Sequence, residues 1–150
     1  MYGFYQVFEE RSFSNISMTQ TTASMALNIH LEYYMAGLYG LLRPADLIQN
    51  HRLEMGTKKL PLPDAAKDLY TLWATPLADS INEQFETTAG GVLLNCASEE
   101  YFNVIPLKKL DGNISVVTCV FLDGGKVKSV YAKRARGMMA RFACGYCVIL

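Results

Sequence analysis

The stretch Gly90-Gly91-Val92-Leu93-Leu94-Asn95-Cys96-Ala97-Ser98-Glu99-Glu100-Tyr101 decides the fold class. Two glycines open it. Residues 92–96 then form a continuous apolar run of strand length, the pattern of a strand covered on both faces. Ser98 offers an N-cap, and Glu99 and Glu100 place carboxylates at the positive end of a following short helix. A buried strand feeding directly into a helix predicts a mixed α and β (α+β) chain. Polar groups just past the carboxyl end of such a strand lie where α/β proteins commonly bind ligands.

Working outward, Asp111-Gly112-Asn113 and Asp123-Gly124-Gly125 are turn signals. They bracket residues 114–122, and residues 126–131 follow, so a hairpin is predicted. Residues 132–142 then read as a helix. Upstream, Asp64 after Pro63 is a good N-cap, and Ala66, Leu69, Tyr70, Trp73, Leu77, Ile81 and Phe85 keep a helical stripe. Thr75-Pro76 interrupts that stripe, which predicts a kink, or two helices with Thr75 capping the second. Residues 25–36 are apolar on nearly every side and suit a buried helix, ended by Gly37. Pro44 suits the first turn of a new helix over residues 45–49. Residues 1–24 have little pattern, and residues 12–24 read as loop or as an entry to the next helix.

The chain has 150 residues, 51% of them hydrophobic, which suits a single domain with a buried core and excludes disorder as its main state. Charges balance overall, 14 basic against 14 acidic, but unevenly. Residues 1–100 carry six basic and twelve acidic side chains, residues 101–150 eight and two. An anionic partner would therefore be drawn to the later part. No secretory signal is visible, and the longest apolar stretch, residues 116–122, is far below the ~20 residues of a membrane span. A cytoplasmic protein with no membrane partner is expected. Cys96 and Cys119 sit in apolar runs and read as small buried hydrophobes. Cys144 and Cys147 make a lone C-x-x-C that His30 and His51 do not complete, so neither a metal nor another cofactor is expected. Arg141 nearby makes redox sensing by that pair conceivable. Cys147-Val148-Ile149-Leu150 formally matches a prenylation box, or is only where a truncated chain stops.

Three features could carry chemistry. On the last helix, Lys133, Arg134, Arg136 and Arg141 fall in one arc, with Ala135, Met138, Met139 and Phe142 opposite. The apolar side is expected on the sheet and the basic side toward water or a ligand. Gly137 and Ala140 leave room for a phosphate backbone, and Lys126, Lys128, Lys108 and Lys109 extend the patch. A solvated surface face is the plain alternative. Second, Gly37-Leu38-Tyr39-Gly40, followed by Arg43 and Pro44, exposes backbone N–H groups that can seat a phosphate; an ordinary turn with Leu38 and Leu41 in the core is the alternative. Third, Asn95, Ser98, Glu100 and Tyr101 could meet Arg52 and Glu54 in a pocket capable of acid/base work.

In order along the chain, several blocks resemble the YaaA family of peroxide-stress proteins. They are Gly37-Leu38-Tyr39-Gly40 with Leu42-Arg43-Pro44, Arg52-Leu53-Glu54-Met55-Gly56, and Lys67-Asp68-Leu69-Tyr70 with Trp73. Further on come Asn95 with Ala97-Ser98, Glu100-Tyr101-Phe102, Lys108-Lys109-Leu110, Tyr131-Ala132-Lys133, Ala135-Arg136-Gly137 and Arg141-Phe142. The resemblance covers residues 34–142 and implies the middle of the family domain, with both ends missing. It implies a mixed α/β fold with a helix-hairpin-helix over the Gly37–Gly40 turn and a small central sheet. It further implies resistance to hydrogen peroxide, an association with limiting free intracellular iron, and double-stranded DNA as a weakly specific partner. Gly37, Leu38, Tyr39, Gly40, Arg43, Lys108, Lys109, Lys133, Arg134, Arg136 and Arg141 are the expected DNA contacts. A non-enzymatic role is favoured. The rival is an enzyme acting on a nucleotide or nucleobase at the end of strand 92–96. An iron chelator is the weakest reading, since no compact ligand set stands out.

Overall fold

Apolar runs too short for helices assemble into one five-stranded sheet of order β3-β2-β1-β4-β5. The strands are β1 (Gly3–Glu9), β2 (Glu32–Ala36), β3 (Gly40–Leu42), β4 (Gly91–Asn95) and β5 (Ile114–Thr118). The structure, a computed structural model, describes residues 3–9, 32–43, 45–63, 65–86, 90–122, 124–126 and 129–146. Pairings β1–β2, β1–β4 and β4–β5 are parallel, and β2–β3 is antiparallel. Helices α1 (Leu69–Phe85), α2 (Glu99–Phe102) and α3 (Ser129–Tyr146), with a 3-10 turn at Leu107–Lys109, complete the mixed α and β architecture.

Strand alternation divides the core into two layers. Met35 and Leu93 face a cluster with Leu69, Leu77, Ile81 and Phe85 of α1 and Tyr101 and Phe102 of α2. Their neighbours Tyr34 and Leu94 point to the other face and pack, with Cys96, on Ala140 and Ala143 of α3. Strand β4 is therefore covered on both faces and paired on both edges, as its unbroken apolarity requires.

Several expectations need correction. Residues 32–36, read as the end of a helix, are strand β2, and the helix-hairpin-helix is replaced by a β-hairpin from β2 through Gly37–Tyr39 into β3. A fully buried strand and a fully buried helix share one apolar signature over five residues, so periodicity could not separate them. Residues 45–49 form no helix. The N-cap of α1 is Asp68, whose carboxylate accepts from the Thr71 backbone N–H at 2.7 Å, and α1 continues through Pro76 as one helix. The hairpin expected over residues 114–131 does not form: β5 ends at Thr118 and pairs in parallel with β4, and α3 begins at Ser129. Residues 1–24, left without pattern, contain β1, the middle strand of the sheet. Residues 12–24, the first part of the expected helix 25–36, Pro44, Asp64, Lys128 and the segment Cys147-Val148-Ile149-Leu150 lie outside the described residues, as does the side chain of Cys144.

Candidate functional site

The carboxyl ends of β4 and β5 open into a cavity of about 340 Å³, lined on one side by Glu99, Phe102 and Asn103 and on the other by Ala132 and Arg136. Its innermost polar group is Asn95, 2% exposed. The Asn95 Oδ1 accepts the Ala97 backbone N–H at 2.9 Å, and Nδ2 donates to Thr118 Oγ1 at 3.3 Å. One amide hydrogen is thereby used, and the second has no partner among the described residues. Burying an amide with spare donor capacity costs free energy unless something accepts from it.

Arg136 reaches this cavity because of how α3 lies on the sheet. Ala132, Ala140 and Ala143 are buried and Arg136 and Met139 half-buried, so the inward stripe runs i, i+4, i+7, i+8, i+11. The expected apolar side was therefore misplaced. Met138 and Phe142 are exposed, 65% and 57%, while small side chains let α3 approach Tyr34 and Leu94 closely. Arg134 and Arg141 are exposed, and Lys133 is half-buried.

The six residues expected to share a pocket do not all meet. Only Asn95 lines the cavity. Glu100 turns toward the α1 layer, where its Oε1 accepts the Gly56 backbone N–H at 2.9 Å. Burial first, then the Glu100 and Asp68 charges, push the Tyr70 hydroxyl above its ordinary pKa. Glu54, half-buried, and Arg52, exposed, belong to the loop that Glu100 pins through Gly56. Tyr101 is core, and Ser98 precedes α2 with no capping bond from its side chain.

The Gly37–Gly40 turn is engaged by protein. Trp73 Nε1–H donates to the Gly37 carbonyl at 3.0 Å, and a Cβ on Gly37 would stand 2.6 Å from the Leu53 carbonyl oxygen. Gly40 lies against the Trp73 ring. Leu38 is exposed; the Tyr39 hydroxyl accepts the Gln49 backbone N–H at 3.1 Å, and its ring meets His51 edge-on. Arg43 is exposed, its backbone N–H donating to Asp46. Lys109 Nζ donates to Thr75 Oγ1 of α1 at 2.7 Å, so it and its exposed neighbour Lys108 belong to the face opposite α3.

The sequence pattern described as peroxide stress protein YaaA matches residues 5–146. The chain belongs to the YaaA family. The match begins within β1 and so exceeds the stretch 34–142 in which the resemblance was first legible. A UPF0246 protein of Burkholderia lata is 44% identical over 145 residues, covering 92% of this chain and 51% of the relative. UPF0246 proteins of Burkholderia cenocepacia strain HI2424 and Burkholderia orbicola are each 43% identical over 144 residues, with the same coverages. The chain thus spans about half the length of the curated relatives it matches. Among the described residues no helix is long and apolar enough to cross a membrane.

Within this YaaA-family chain, sequence reasoning placed Asn95 at a ligand-binding strand end but missed Glu99, Asn103, Thr118, Cys119 and Arg136 as its neighbours. Thr118 and Cys119 were hidden by taking β5 as a hairpin strand rather than a parallel neighbour of β4. Arg136 was legible from its spacing, four residues from each of two alanines, but was grouped with the outward cations.

Proposed function

We propose that the chain serves peroxide resistance in the cytoplasm by binding double-stranded DNA through the outer side of α3. The observation that carries this reading is the pair Arg134 and Arg141, exposed on an 18-residue helix, with no acidic residue from Lys126 to Leu150. Guanidinium groups on a rigid scaffold hold phosphate oxygens without reading base edges, so binding is weakly sequence-specific. The Gly37–Gly40 turn packs against Trp73 and the Leu53 carbonyl, so α3 rather than the turn carries this reading. The same reading includes an association with limiting free iron, which the resemblance to the YaaA family supports. Fluorescence anisotropy on duplex DNA across a salt series tests the reading. Affinity should fall steeply with salt, and Arg134→Ala with Arg141→Ala should lower the log–log slope by up to about 2, given ~0.9 per phosphate neutralised. Affinity indifferent to salt, or to the double substitution, rejects it.

The cavity favours a second reading, a site for a nucleotide or nucleobase. Buried Asn95 offers its spare amide hydrogen to a base acceptor, and Arg136 offers a cation for phosphate. Thermal denaturation with nucleoside mono- and triphosphates and free bases should show a rise in Tm that Arg136→Ala or Asn103→Ala removes. No shift with any of them rejects the reading.

A further inference from the structure

Two cysteines stand side by side where β4 and β5 end, one of them on this cavity. The last register pair of β4 and β5 is Asn95↔Thr118, and the Cys119 backbone N–H donates to the Asn95 carbonyl at 2.9 Å. Cys96 and Cys119 therefore follow as neighbours, their Sγ atoms 4.0 Å apart. Adjacent strands run ~4.8 Å apart, inside the range of Cα separations that a disulfide spans. The two thiols differ in access. Cys96 is fully buried, whereas Cys119 is half-buried and lines the cavity beside Arg136.

We propose that Cys96 and Cys119 are a peroxide-oxidisable dithiol that closes to an intramolecular disulfide across the ends of β4 and β5. Cys119 is the attacking sulfur, because only it meets the cavity. Its thiolate attacks one oxygen of hydrogen peroxide, the O–O bond breaks, and the departing hydroxide takes a proton to leave as water. Cys119 is then a sulfenic acid. The Cys96 sulfur, losing its proton, attacks the Cys119 sulfur; the S–O bond breaks and a second water leaves. Two thiols lose two electrons in all, and one peroxide is reduced to two waters. The bond joins the segments that carry Asn95 and Thr118, so the cavity's ligand groups are tied to the thiol state. This stands independently of DNA binding, which uses the other side of α3.

The experiment uses the whole chain, reduced, desalted and treated with one equivalent of hydrogen peroxide. It is then quenched with N-ethylmaleimide in denaturant and digested with trypsin. Cys96 lies in the tryptic peptide 68–108, Cys119 in 110–126, and Cys144 and Cys147 in 142–150, so each pairing has its own mass. The expected product joins 68–108 to 110–126 with loss of two hydrogens, is split by dithiothreitol, and loses its selectivity when peroxide is added in guanidinium. With Cys96→Ser, dimedone should trap a sulfenic acid on Cys119; with Cys119→Ser, Cys96 should give no adduct. Recovery of both wild-type peptides capped by N-ethylmaleimide overturns the proposal. So does a bond to 142–150 in their place, or equal yield in the denatured chain.

Discussion

At Gly40 the backbone takes a φ of 71°, and an added Cβ would lie 2.7 Å from the Trp73 ring. Left-handed backbone costs a side-chain-bearing residue ~1–3 kcal/mol, and Trp73 is not free to retreat because its indole N–H is bonded to the Gly37 carbonyl. Gly40→Ala should therefore destabilise by at least about 1 kcal/mol in urea unfolding, whereas Gly112→Ala, with open space around it, should stay within about 0.5 kcal/mol. Asp68 makes a pH-dependent contribution. Bonds from the Thr71 backbone N–H, then from its hydroxyl, hold the Asp68 carboxyl below its ordinary value of 3.8. A pKa depressed by folding stabilises the folded state above the unfolded value, and that stabilisation is lost as pH falls through the folded one. Stability of the wild type should hence drop more steeply below about pH 4 than that of Asp68→Ala, read from urea midpoints across acid pH. Both glycine roles were half legible. Gly37 and Gly40 were correctly seen as turn residues, but not that the Leu53 carbonyl at one and the Trp73 ring at the other required them. Asp64 and Asp68 are equivalent as caps in composition, and only the Thr71 partner decides between them.

Among the elements, α3 shows what helical spacing can and cannot tell. Its existence follows from residues 132–142, yet it runs further at both ends, Ser129–Tyr146, and its inward face was set by the flat surface formed by Tyr34, Leu94 and Cys96. Against a sheet, alanines at 132, 140 and 143 pack better than Met138 or Phe142, because close approach buries more area than long side chains held apart. Ala140→Leu should thus cost about 1–3 kcal/mol by overpacking, while Met138→Ala should change stability by no more than about 0.5 kcal/mol; urea unfolding of both variants checks the orientation. Strand β4 was the most legible element, since its apolarity leaves no solvent side. Strand β2 was the least, since Tyr33, Tyr34, Met35 and Ala36 are all buried and carry no period.

For the molecule as a whole, the arrangement of strands places both candidate features. Strands β1, β2, β4 and β5 run in parallel, so the Gly37 turn after β2 and the Asn95 and Thr118 positions after β4 and β5 all emerge at one end of the sheet. Mixed class, turn positions and the last helix were legible because each depends on local residues. Strand order was not, because Gly3 finds Gly91 and Val7 finds Asn95 across most of the chain. That long-range pairing also governs how the molecule comes into being. During synthesis β1 and β2 leave the ribosome before β4, so the edge of β1 that faces β4 stays unpaired until the segment through Asn95 follows. Contacts so distant in sequence close slowly. The innermost strand of the sheet is thus made before the partner that encloses it, and for that interval its unpaired edge is open to other nascent chains.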